Sequence, residues 1–263
     1  MKVYQERTSQ VTAFYFTKDN ISLVNEQDYS NNYCVYFLFD DSDDIQTKVY
    51  VGQSVNGINR ISEHSKTKEF WSYAIMFVTD NNSFDKLTID YLEYHYINKF
   101  KKSQLYTLEN ADPRSKEPNI SQYDRPNLDN FIDQITFLLS CEGIVLDKKS
   151  NISKSTKYYY PSNKHKAKLF VDDGKFVLSK GSELKRPPES SKKWKDKQHY
   201  YKINNLIDSY ISDGKAFEQD GKITTSVDLF FKAPSPVANI VTGQSENGWI
   251  FFKGLNELRK SDK

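Results

Sequence analysis

A chain of 263 residues has room for one large domain or two ordinary ones, and no run of 18 apolar residues offers a membrane span. Basic and acidic residues nearly balance, 37 against 35 for a net charge of +2. Yet residues 148–202 hold 16 Lys/Arg against 5 Asp/Glu, a surplus of +11 that leaves −9 for the remainder, so two domains and a polyanionic partner are expected. Residues 11–16 (VTAFYF), 33–39 (YCVYFLF) and 48–52 (KVYVG) are β-branched and aromatic runs that predict strands. DDSDD, Asp40 to Asp44, falls between the last two and reads as a solvated hairpin tip, lacking the spacing and glycine of an EF-hand. After Gly52, the pair Asn56-Gly57 predicts a turn. Arg60 and His64 follow, four residues apart and so on one face of a helix.

FWSYAIMFVT (70–79) predicts a further strand, and SFDKLTIDYLEYHYINKFKK (83–102) a helix capped by Ser83. Leu87, Tyr91, Tyr94 and Ile97 or Asn98 recur on one side of it at helical spacing. ENADPRSKEPN (109–119) reads as a loop, and NLDNFIDQITFLLSC (127–141) as an amphipathic helix with Phe131, Ile135, Leu138 and Leu139 inward. The basic KKSNISKSTKYYYPSNKHKAK (148–168) reads as a linker. Beyond it, LFVDDGKFVLSKGS predicts two strands joined at Asp173-Gly174, and YYKINNLIDSYISDG a helix closed by Gly214. Ser235-Pro236 marks a helix start, and NGWIFFKG (247–254) reads as a closing strand. The opening MKVYQERTSQ has no apolar signal segment, and Cys34 and Cys141 make neither a disulfide framework nor a metal knuckle. A reducing cytoplasm is the expected compartment.

Together these pieces resemble the GIY-YIG nuclease family. Cys34-Val35-Tyr36 stands where the family has Gly-Ile-Tyr, and Tyr50-Val51-Gly52 where it has Tyr-Ile-Gly. Arg60 matches the arginine opening the next helix and His64 the histidine one turn later. Glu93 matches the metal-binding glutamate of the following long helix, and Asn110 the late asparagine. One departure is visible, Cys34 in place of the first glycine. The match spans about 30–110, and LTIDYLEYHYINKFKK also resembles a subgroup with an extra C-terminal domain. GKFVLSKGS, DLFFKAPSPVANIVTG and NGWIFFKG resemble a domain of unknown function often found in that position.

The resemblance implies an α/β (α+β) chain. A nuclease domain over 1–115 (core 30–110), a central antiparallel sheet flanked by helices, leads to a helical extension over 116–147. The basic linker (148–168) then joins it to a second α+β domain over 169–263. It also implies a divalent-metal-dependent DNA endonuclease, of restriction, repair or mobile-element type. Glu93 would hold Mg²⁺, or Mn²⁺, through a hard oxygen. Arg60 brings a forked cation suited to phosphate. Tyr36 would take the proton of the attacking water, with Tyr50 binding phosphate or sharing that proton, His64 orienting or relaying, and Asn110 bracing the site. Beside an arginine and a metal, the tyrosine's pKa is expected to fall from about 10. Glu93 and His95, two apart, point to different helix faces and make no zinc pair. Lys192, Lys193, Trp194, Lys195 and Lys197 mix cation and aromatic surface as nucleic-acid grooves do, and would give DNA affinity without sequence readout. The other class is a DNA-binding or regulatory protein that keeps the fold without cutting. TGQSENGWIF echoes VGQSVNGINR but carries Phe251 and Leu255 where Arg60 and His64 would stand, so it predicts no second active site.

Overall fold

The computed structural model describes residues 1–40, 45–110, 116–147, 150, 152–153, 155–190 and 197–261. They fall into two compact units, Met1–Asp43 with Thr47–Leu146, and Asp44–Gln46 with Asp147–Lys263. Both are α+β. Among the described residues no helix is long and apolar enough to cross a membrane.

The first unit is built on a six-stranded sheet in the order β1-β2-β5-β3-β4-β6. Its strands are β1 (Lys2–Gln5), β2 (Val11–Thr17), β3 (Cys34–Asp40), β4 (Thr47–Ser54), β5 (Tyr73–Thr79) and β6 (Tyr106–Leu108). All pairs are antiparallel except β4 with β6. Four helices accompany it: α1 (Ile21–Asn25), α2 (Ile58–Thr67), α3 (Lys86–Lys102) and α4 (Arg125–Cys141). Strand alternation divides β3 between two cores. Val35, Phe37 and Phe39 pack with Leu92, Tyr96 and Phe100 of α3. Cys34, Tyr36 and Leu38 face the other way, onto Ile58 and Ile61 of α2 and onto Trp71. A strand covered on both faces reads as one unbroken apolar run, which is why CVYFLF shows no period of two.

Two expectations about α3 are corrected, the second in part. The α3 N-cap is Asp85, whose carboxylate accepts from the Thr88 N–H at 2.7 Å, while Ser83 bonds Asn81 instead. Its inward face is Ile89, Leu92, Tyr96, Ile97 and Phe100. Of the expected stripe, Ile97 and Tyr91 are buried, while Leu87 is exposed and Tyr94 only half-buried. Aromatic residues surround this helix, so the sequence offers two stripes of nearly equal strength. Of the two free cysteines, Cys34 is buried and Cys141 exposed. Of the acidic stretch Asp40–Asp44, only Asp40, the last residue of β3, lies within the described residues.

The second unit holds two three-stranded sheets. One runs β12-β8-β7 and the other β10-β11-β9, formed by β7 (Leu169–Asp172), β8 (Lys175–Leu178), β9 (Glu183–Leu184), β10 (Ala216–Gln219), β11 (Lys222–Thr225) and β12 (Leu229–Phe231). With them go α5 (Lys197–Ser212), α6 (Pro234–Thr242), α7 (Gly248–Phe251) and α8 (Leu258–Ser261). Asp173 and Gly174 both take positive φ in the β7–β8 turn (49° and 72°), the requirement of a two-residue hairpin. Tyr159 and Ala167, within the stretch read as linker, are buried in this unit's core, and Tyr159 exchanges backbone hydrogen bonds with Leu169. The expected closing strand NGWIFFKG is instead helical at its start. Asn247 caps α7 by accepting from the Trp249 N–H at 3.1 Å, and a Cβ on Gly248 would lie 2.1 Å from the Pro234 carbonyl. This close approach and the cap turn an apolar, strand-like segment into one helical turn.

Candidate active site

The β3–β4 register sets Tyr36 opposite Gly52. The Tyr36 ring lies across that glycine so closely that an added Cβ would be 2.5 Å from its Cζ and Oη. Gly52 is therefore required for space: it makes the floor on which the phenol rests. Gly52→Ala should push this buried ring off its place and lower stability by about 1–3 kcal/mol, the usual range for overpacking. Urea unfolding checks this, and a midpoint equal to that of the parent would contradict the packing described.

Asn56-Gly57 turns the chain from β4 into α2. Gly57 has φ of 48°, and a Cβ there would lie 2.0 Å from the Ser30 carbonyl, to which the Ile58 N–H donates at 2.8 Å. The turn is thereby anchored, and α2 begins with Ile58 and Ile61 seated in the core. His64 is buried with them, its Nε2 2.9 Å from the Tyr36 hydroxyl. The ring centroids of Tyr36, Tyr50 and His64 are mutually 5.4–6.4 Å apart. Arg60 lies at the exposed edge of this cluster, its Nη1 2.6 Å from Glu63. Both partners are well exposed, so the pair is a weak restraint and the guanidinium can exchange it for an anion.

Burial pushes the Tyr36 phenol well above its ordinary range, and Tyr50, Cys34 and Glu93 act in the same direction, with only Arg60 opposing them. The expected fall in its pKa is thus corrected for this protein taken by itself: desolvation outweighs the one cation. Burial also drives His64 down, to about 4, with Arg60 and Lys68 adding to the effect. Near neutral pH the two partners of the 2.9 Å contact are accordingly a phenol and an uncharged imidazole.

Glu93 is buried on α3 and close enough to act electrostatically on Tyr36. Among the described residues no three His, Cys, Asp or Glu side chains gather into a ligand cage. A single buried carboxylate fits Mg²⁺ or Mn²⁺ bound with water and substrate phosphate as the remaining ligands. Asn110 follows β6 and closes a two-bond clamp on Val51: its Oδ1 accepts from the Val51 N–H (3.0 Å) and its Nδ2 donates to the Val51 carbonyl (2.8 Å). It thereby holds the backbone between Tyr50 and Gly52.

Tyr36, Tyr50 and His64 are therefore gathered around one place, with Arg60 at its edge. Glu93 lies on α3 near enough for its charge to act on Tyr36, and Asn110 reaches the site through the β4 backbone. Lys192, Lys193, Trp194 and Lys195 lie outside the described residues, and Lys197 is the exposed first residue of α5. Sequence reasoning missed Lys68, whose Nζ lies 4.2 Å from the Tyr50 ring centroid. Its signal was a spacing of four from His64. Also missed was a cleft of about 450 Å³ beside Arg60, lined in part by Gln53, Asn56, Asn59 and Lys86.

No curated protein and no solved structure gives a significant match to the chain. Residues 158–258 match a family described as a domain of unknown function (DUF4357). The second unit thus carries the C-terminal domain of unknown function expected from its segments.

Proposed function

We propose that residues 30–110 form a GIY-YIG nuclease domain and that the protein is a divalent-metal-dependent endonuclease hydrolysing DNA phosphodiester bonds. The observation that carries this reading is the 2.9 Å contact between the Tyr36 hydroxyl and His64 Nε2, with Tyr50 and Arg60 alongside. Tyrosine, imidazole and guanidinium in that arrangement suit proton transfer next to a phosphate. DNA is the partner and Mg²⁺ or Mn²⁺ the cofactor of this reading.

Tyr36 rests as a phenol and donates its hydrogen bond to uncharged His64. As Tyr36 Oη accepts a proton from the attacking water, its own proton passes to His64 Nε2, so the pair gains one proton. The water oxygen bonds to phosphorus as the P–O bond to the departing deoxyribose oxygen breaks, and that oxygen takes a proton from solvent. Tyr50 binds the phosphate from the neighbouring strand. Arg60 leaves Glu63 and places its two forward N–H groups on the phosphate oxygens, where negative charge grows in the transition state. A divalent ion held by Glu93 would add neutralisation of that charge. Asn110 keeps Tyr50 and Gly52 in register through Val51. Lys192, Lys193, Trp194, Lys195 and Lys197 would hold flanking DNA without reading its sequence.

The test is plasmid cleavage by the full chain with Mg²⁺, comparing the parent with Arg60→Lys. Lysine keeps the charge and lacks the fork, so the rate should fall about 10²–10³-fold. Parent-like turnover in this variant would make Arg60 a surface charge and remove its assigned role. A parent that binds DNA without cutting under any condition would leave the other class, a DNA-binding or regulatory protein on the same fold.

A further inference from the structure

Arg60, His64 and Lys68 are spaced four residues apart, a stripe along α2 that ends at its C-cap. At the rise of an α-helix this stripe is about 12 Å long. His64 sits at its centre, bonded to Tyr36. Arg60 marks one end, and Lys68 the other, with its ammonium on the Tyr50 ring. Lys68 is also held from behind. Its N–H donates to the His64 carbonyl at 2.8 Å, and Lys18 Nζ donates to the carbonyls of Lys68 (3.4 Å) and Glu69 (3.1 Å). Lys18 is steadied in turn over Trp71, 5.0 Å from the ring centroid. The first of these bonds closes the helix and the Lys18 bonds fix the backbone at Lys68, so its side chain leaves from a set position toward Tyr50. An ammonium seated on an aromatic face is partly desolvated and aimed before any ligand arrives.

We propose that Lys68 is a second phosphate contact of the site. A DNA strand then runs along α2, with Arg60 and Lys68 holding phosphates on either side of the one facing Tyr36 and Tyr50. The stripe is long enough to reach the phosphates on either side of the reacting one in a single strand. The assignment rests on the nuclease reading for its substrate and deepens it by giving the strand a direction. It also accounts for two cations bracketing an uncharged imidazole: they take the phosphate charge and leave His64 free for a proton.

The experiment measures binding rather than cutting. Fluorescence anisotropy of a labelled DNA duplex is followed over a salt series in excess chelator, with the full chain as parent, Lys68→Gln and Lys68→Arg. Each phosphate contact adds about 0.9 to the slope of log K against log salt. Lys68→Gln should therefore flatten the slope by about 0.9, and Lys68→Arg should restore it. A Lys68→Gln slope equal to the parent's overturns the proposal, even if the parent cuts DNA normally. Conversely, a slope lost in Lys68→Gln and restored in Lys68→Arg supports it, even if the parent never cuts, in which case only the nuclease reading fails. A parent without measurable DNA binding overturns both.

Discussion

Tyr36→Phe should remove DNA cleavage while leaving the fold in place. Phenylalanine keeps the ring that rests on Gly52 and fills the core beside Ile58 and Ile61, so no cavity opens. What disappears is one hydroxyl and its bond to His64 Nε2. Leaving a buried acceptor without its donor costs about 1–3 kcal/mol, offset by no longer burying the hydroxyl itself. A small drop in melting temperature is the expected structural effect. The chemical effect should be far larger, since a positioned proton acceptor is worth about 10²–10⁴ in rate. His64→Ala should do less harm to turnover, because water entering the vacated space can take the Tyr36 proton in place of the imidazole. It should do more harm to stability, since it hollows out a buried position. Single-turnover cleavage together with thermal melting separates the two quantities. A Tyr36→Phe protein that cuts at the parent's rate would move the proton-accepting role elsewhere, with Tyr50 next in line.

The second large effect is expected at Glu93. Glu93→Gln preserves shape and hydrogen-bonding capacity while removing the charge that would hold a divalent ion. If the carboxylate is the protein's ligand to the metal, turnover should fall by about 10³-fold or more, which corresponds to roughly 4 kcal/mol of transition-state stabilisation. Folding stability should be equal to or above the parent's, because a buried carboxylate is expensive to keep charged and a buried amide is less so. Mn²⁺ binding, read from water-proton relaxation, should weaken in step with activity. Undiminished cutting and undiminished Mn²⁺ binding in Glu93→Gln would separate the metal from this residue.

Much of the site's framework is legible in the sequence. The runs YCVYFLF and KVYVG gave away β3 and β4, and Asn56-Gly57 the turn into α2, because backbone chemistry there admits few alternatives. Arg60 and His64 were placed on one helix by spacing alone. Their different fates, one exposed and one buried, depend on where the sheet lies, which spacing does not encode. The depth of Tyr36 was likewise hidden. Its acidity depends on burial among residues distant along the chain, such as Trp71, Met76 and Ile61, and for the protein without metal that burial outweighs the arginine that the sequence shows nearby. In α3, a helix with aromatics on several faces offered no single stripe to choose. β1 and β6 escaped because edge strands of four and three residues carry almost no pattern. NGWIFFKG failed for a different reason: local apolar content spoke for a strand, while the contact of Gly248 with Pro234 decided for a helix.

The most direct measurement is cleavage by the unaltered full chain. Supercoiled plasmid and short linear, nicked and branched duplexes are incubated with Mg²⁺, with Mn²⁺ and with excess chelator, with Tyr36→Phe run in parallel and the new ends sequenced. Strand breaks with Mg²⁺ or Mn²⁺ that vanish in chelator and in Tyr36→Phe are the predicted result. Intact DNA in every divalent-ion condition, or cutting that persists unchanged in excess chelator or in Tyr36→Phe, would contradict it.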